Sequence, residues 1–108
     1  MRLTTETFGN VIIVHTPDDL TSDNAAEVER YLTSLPQSRI VVDLDNTEAI
    51  DSAGLTMLLN VQEALRSDGG DLKLMVTNAV NRKILEITRL DQQLDVYDTV
   101  VEAVKSFG

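Results

Sequence analysis

The amino-acid sequence predicts an α/β domain: a small mixed β-sheet that opens with an N-terminal antiparallel hairpin, continues in mainly parallel strands, and is covered by about four helices. Three patterns predict it. Leu3 to Thr7 and Val11 to His15 are β-prone runs separated by Phe8-Gly9-Asn10, and Gly-Asn between such runs is hairpin chemistry. Ile40-Val41-Val42-Asp43-Leu44 has four apolar residues of five and is followed by polar turn formers, as in a strand buried on both faces. From Gly54 the period changes: Gly54, Met57, Leu58, Val61, Ala64 and Leu65 fall at i, i+3, i+4, i+7, i+10 and i+11, one buried helical stripe.

The remaining elements follow in order. Pro17-Asp18-Asp19-Leu20 breaks the second strand, Thr21, Ser22 and Asp23 offer caps, and Ala25, Val28, Leu32 and Leu35 give a first helix ended by Pro36. After Leu44 a polar loop leads to Asp51-Ser52 and the second helix, which stops at Ser67-Asp68-Gly69-Gly70, where a glycine takes a left-handed C-cap. Leu72 to Val76 is the next strand. Thr77 or Asn78 caps a third helix whose buried side is expected to be Val80, Ile84 and Ile87, with Arg82, Lys83, Glu86 and Arg89 in water and Leu90 at its end. Leu94 to Tyr97 forms a short last strand, and Asp98 caps a final helix with Val100, Val101, Val104 and Phe107 inward. Strands alternating with helices from Val11 onward imply parallel pairs joined by right-handed crossovers. No repeat, linker or low-complexity tract divides the chain, so residues 1–108 read as a single domain.

Composition narrows the function classes. A chain of 108 residues buries roughly two-thirds of its unfolded surface without staples. The absence of Cys rules out disulfides, thiol nucleophiles and Cys-based zinc sites, and is compatible with a reducing cytosol. Met1 to Glu6 lacks an apolar core and the longest early apolar run is Val11 to Val14, so neither a signal peptide nor a membrane span is expected. A net charge of -9 opposes nucleic acid and anionic lipid and favours a basic patch on another protein.

Gly69-Gly70 stands after a helix instead of before one, so no nucleotide cofactor is inferred. The only histidine, His15, makes no zinc site by itself and reads as a strand residue in polar surroundings. Ile50 stands where a nucleophile elbow at Ser52 needs Gly. Asp18 and Asp19 follow one strand and Asp43 lies near the end of another, an arrangement similar to the carboxylates of a receiver-type phosphoacceptor. Between Asp19 and Asp43, however, there is room for one helix only, and Asp18 and Asp19 read as solvated loop carboxylates. Arg82, Lys83 and Arg89 form a locally basic patch, read as a solvated face.

Asp51 and Ser52 sit where a strand has ended and a helix begins. From the residues alone Ser52 has two readings: a helix cap, or a hydroxyl at a helix N-terminus, where free N–H groups and the dipole stabilise negative charge such as a phosphate. Gly54 permits close approach by another backbone. Asp51-Ser52-Ala53-Gly54-Leu55, after a strand ending Val42-Asp43-Leu44 and before the Gly69-Gly70 turn, resembles the STAS domain, specifically the stand-alone anti-sigma factor antagonists of bacteria. The resemblance covers nearly the whole chain.

It implies a STAS-like fold and a cytoplasmic switch without catalysis of its own. Unmodified protein binds an anti-sigma factor and releases a sigma factor; the anti-sigma factor, a serine kinase using ATP, phosphorylates Ser52 and ends that binding; a phosphatase restores it. The implied partner face is Asp18, Asp19 and Thr21, the corner Asp51, Ala53 and Gly54, and the exposed side of the second helix at Leu55 and Thr56 with Leu59. Leu55 and Leu59 border the core stripe, so the pattern leaves them open between core and surface. The family's G-E-L-D run appears here as Asp18-Asp19-Leu20-Thr21, without its Gly and terminal Asp. An alternative within the family is a regulatory or structural subunit of a stress-signalling scaffold or transport assembly, with the serine unmodified.

Overall fold

Gly9, at φ +60°, and Asn10 close a two-residue hairpin between Thr4–Phe8 (β1) and Val11–His15 (β2), with Phe8 opposite Val11. Phe8 therefore belongs to the first strand and not to the turn. The structure, a computed structural model, describes residues 3–107; the N-terminal expectation at Met1 and Arg2, and the last residue of the expected domain, Gly108, lie outside the described residues. After β2 come Asp19–Leu20 (β3), Ala25–Thr33 (α1), Arg39–Asp43 (β4), Ala49–Ile50 (β5) and Ser52–Ser67 (α2). The chain continues with Asp71–Met75 (β6), Ala79–Ile87 (α3), a 3-10 turn at Leu90–Gln92, Asp95–Tyr97 (β7) and Val100–Lys105 (α4).

Five strands form one sheet in the order β1-β2-β4-β6-β7, antiparallel at β1-β2 and parallel thereafter. Each parallel neighbour is the next long strand in sequence, so right-handed crossovers place α1, α2 and α3 on one face. The register matches: Ile12 lies beside Ile40 and Ile40 beside Leu72, with Val14, Val42 and Leu74 one step on, and these side chains pack with Val28, Leu32, Met57, Leu58, Val61 and Leu85. The alternate residues Val11, Ile13, Val41 and Met75 turn to the opposite face under Ala103, Val100, Val104 and Phe107 of the C-terminal segment. Lys73 shares that second face. Its ammonium reaches Asp95 at 3.1 Å and lies 5.1 Å from the Phe107 ring, which accounts for a lysine inside an apolar strand.

Several sequence expectations are corrected. The second strand ends at His15, ahead of Pro17 as expected, but Asp19–Leu20 within the break and Ala49–Ile50 in the polar loop before Asp51 pair as the parallel two-residue strands β3 and β5. The first helix ends at Thr33, ahead of Pro36, and Leu35 is half-buried beyond it. On α2, Ala64 is exposed and Gln62 is buried, donating to the Gln93 carbonyl at 2.9 Å. On α3 the buried residues are Asn81 and Leu85, whereas Val80 and Ile87 are 65% and 70% exposed and Ile84 is half-buried. Asn81 turns inward because its amide donates to the carbonyls of Leu44 and Thr47. Arg82, expected in water, is half-buried and bonds Asp98 and the Val76 carbonyl. The cap of α4 is Thr99, accepting from Glu102 N–H, not Asp98, and Val101 is exposed.

No helix of the described residues is long and apolar enough to cross a membrane.

Candidate functional site

Asp51 decides the local geometry. In the extended conformation it directly follows β5, and its carboxylate accepts from Gly54 N–H at 3.0 Å, which makes it the N-cap of α2. Its second oxygen accepts from Ser22 N–H, also at 3.0 Å, and so ties the loop before α1 to the start of α2. The N–H groups of Ser22 and Gly54 hold this carboxyl below the usual carboxylate range. With Asp51 as the cap, Ser52 is the first helical residue: it is exposed, and its hydroxyl forms no hydrogen bond among the described residues.

Gly54 is buried beneath the Leu20 carbonyl, where a Cβ would stand 2.2 Å from that oxygen. The same carbonyl accepts from Asp51 N–H at 3.1 Å, while Glu48 N–H donates to Asp18 O at 2.7 Å. The loop carrying Asp18, Asp19 and Thr21 and the corner carrying Asp51, Ser52 and Ala53 are thereby stitched into one unit. Asp18 and Asp19 are exposed; Thr21 is half-buried, and its hydroxyl accepts from Asp23 N–H at 3.3 Å. Thr56 is exposed, and Leu55 and Leu59 are half-buried against the core, so both serve packing.

Between α1 and α2 lies an open groove of about 340 Å³, floored by Ala25 and Met57 and walled by Ala26, Glu29, Ala53 and Asn60, with Ser52 and Thr56 on its lip. Sequence reasoning missed Ala26, Glu29 and Asn60. The available signal was the polar stripe Ser52, Thr56 and Asn60 at i, i+4 and i+8 on the second helix.

Other polar clusters lie outside this corner. Asp43, the carboxylate weighed as a receiver-type phosphoacceptor, is buried with one oxygen accepting from Asp45 N–H at 2.9 Å and the other 2.8 Å from His15 Nδ1. His15 Nε2 meets Glu6 at 2.8 Å, so both ring nitrogens donate to carboxylates as in an imidazolium. Burial opposes that charge, but the hydrogen bonds and proximity of Glu6 and Asp43 outweigh it and raise the pKa above 6.5. Asp45 binds Thr77 N–H and O–H and Asn78 N–H; burial opposes its ionisation and these donors overcome it, lowering its pKa.

Comparison with known proteins places this geometry in a family. A model described as the STAS domain matches residues 2–103. A protein of Bordetella bronchiseptica provisionally named as an anti-sigma factor antagonist, BtrV, is 31% identical over 91 residues, covering 82% of this chain and 78% of its own. The crystal structure of a Thermotoga maritima protein, also provisionally named as an anti-sigma factor antagonist, superposes with a TM-score of 0.85 at 25% identity, covering 97% of this chain and 93% of that one. The Bacillus cell fate determinant SpoIIAA in its phosphorylated form shares the fold, with a TM-score of 0.70 at 14% identity over 97% of this chain and 98% of its own.

Proposed function

The chain belongs to the STAS domain family, and from that premise we propose that it is an anti-sigma factor antagonist whose binding to an anti-sigma factor is ended by phosphorylation of Ser52. The observation that carries the proposal is the division of labour at the corner. Asp51 supplies the cap, so the Ser52 hydroxyl is exposed and has no structural task. The partner face in this reading is the stitched unit of Asp18, Asp19, Thr21, Asp51 and Ala53, continued by the groove lip at Thr56, with Leu55 and the buried Gly54 holding it from beneath.

A phosphate at Ser52 brings about −1.5 charge to a helix N-terminus, where the dipole favours it, so the helix persists. The effect falls on whatever binds there. A partner carboxylate about 6 Å from the phosphate is repelled by about 4 kcal/mol at an effective dielectric near 20, and half of that weakens binding about thirtyfold. The partner is accordingly an anti-sigma factor with serine kinase activity using ATP, opposed by a phosphatase, and the protein works in the cytoplasm without catalysis of its own.

The test is incubation with a candidate anti-sigma kinase and ATP, followed by phosphate mapping by mass spectrometry. Modification at Ser52, lost in Ser52→Ala, supports the proposal. An unmodified protein that assembles stably with a transporter or scaffold contradicts it.

A further inference from the structure

Although α3 buries Asn81 and Leu85, an apolar stripe of the helix stays at the surface, exposed at Val80 and Ile87 and half-buried at Ile84. Val80, Ile84 and Ile87 stand at i, i+4 and i+7, with Val80 and Ile87 among the most exposed large apolar side chains of the described residues. The same stretch is the basic part of an acidic chain. Residues 79–89 hold Arg82, Lys83 and Arg89 against Glu86, a net charge of +2, which leaves −11 for the rest of a chain whose total is −9. Arg82 is engaged by Asp98; Lys83 is exposed with Glu86 no closer than 3.9 Å, and Arg89 is exposed at the helix end.

The complement of this surface lies on the same molecule. The groove between α1 and α2 is lined by small and apolar side chains, Ala25 and Met57 on its floor and Ala26 and Ala53 in its walls, over which a helix can approach closely. Its surroundings are acidic on balance: residues 18–30 carry Asp18, Asp19, Asp23, Glu27 and Glu29 against Arg30, a net charge of −4, and Asp51, the N-cap of α2, adds a further carboxylate. Two α3 faces cannot pair with each other without setting like charges together. An α3 face against the groove joins apolar to apolar and basic to acidic.

We propose that α3 of one copy docks into the α1–α2 groove of a second copy, a head-to-tail contact that covers the Ser52 lip. This rests on the two surfaces and not on the phosphorylation of Ser52. α3 has nine residues and is about 14 Å long, so the contact is at the small end of protein interfaces and the association is weak, reversible and concentration-dependent. Being head-to-tail, it closes into a ring or continues as a chain. In either case crowded protein competes with any partner for the groove.

Sedimentation velocity on the full chain tests this, from about 10 µM to about 1 mM at low salt and again in about 0.5 M NaCl, where surface charges are screened. The expected result is a weight-average mass that rises above the 11.9 kDa of the monomer at low salt and returns to it in high salt. Ile87→Asp and Glu29→Lys each hold the mass at that of the monomer, with thermal unfolding confirming that both are folded. Mixing Glu29→Lys with Lys83→Glu/Arg89→Glu regenerates a complex that neither variant forms alone. A wild-type monomer throughout overturns the proposal, as does association that survives Ile87→Asp or is unchanged by Glu29→Lys. So does a monomer that binds phosphatidylglycerol vesicles through Ile87, which would make α3 a lipid-facing helix.

Discussion

Replacing Gly54 by Ala probes the corner where loop, strand and helix meet. The new Cβ would lie 2.2 Å from the Leu20 carbonyl oxygen, 2.9 Å from its carbon and 3.0 Å from the Leu20 Cβ. These are backbone atoms, or the root of a side chain with no exposed surface, so nothing at the end of a flexible chain can swing away. The carbonyl must retreat by about 1 Å, which strains the β3-β5 pair and stretches the Asp51 N–H bond to Leu20.

Overpacking of this kind costs about 1–3 kcal/mol, and a clash with backbone belongs at the upper end. Against it stands the gain of about 1 kcal/mol from removing Gly from a helix. The net expectation is a destabilisation of about 2 kcal/mol, and for a domain of this size that lowers the melting temperature by about 10 °C. Thermal unfolding followed by circular dichroism, with urea midpoints as a second measure, reads it directly. A Gly54→Ala variant as stable as wild type, or more stable by the helix-propensity gain, would refute the close approach on which the stitched corner depends.

Two further predictions address the rest of the molecule. On α3, Leu85→Ala is expected to cost about 2–5 kcal/mol in urea unfolding and Ile87→Ala less than about 0.5 kcal/mol; the reverse order would return the helix to the orientation that its apolar spacing suggests. His15 has a raised folded pKa, so its contribution to stability is complete below its ordinary value of 6.5 and is lost as pH rises through the folded value. An NMR titration of the ring should give a pKa above 6.5 that falls in Glu6→Gln, while urea midpoints decline with rising pH in wild type and decline less in His15→Gln. A ring titrating at or below 6.5 would contradict the double carboxylate clamp.

How much of this was legible in the sequence depends on how local each signal is. The hairpin at Gly9-Asn10, the parallel strands and the helix beginning at Ser52 are written in turn chemistry and apolar period, which neighbouring residues settle among themselves. β3 and β5 are two residues each, too short to show a period; they exist because Asp19 pairs with Ala49 and Leu20 with Ile50 across the chain. The rotation of α3 was hidden because its buried side is led by Asn81, a polar residue whose partners, the Leu44 and Thr47 carbonyls, lie more than thirty positions away. At the candidate site the same holds. The motif locates Ser52, but the choice of Asp51 as cap depends on Gly54 N–H together with the distant Ser22 N–H, and the groove depends on how α1 lies against α2.

The most direct measurement is the affinity of one anti-sigma factor for two forms of this protein, unmodified and phosphorylated at Ser52, by isothermal calorimetry, with an amide NMR spectrum of each form. At least a tenfold loss of affinity is expected on phosphorylation, with spectral changes confined to residues near Ser22, Asp51 and Ser52. Equal affinity of the two forms, or changes spread through the sheet, would contradict a local charge switch at the head of α2.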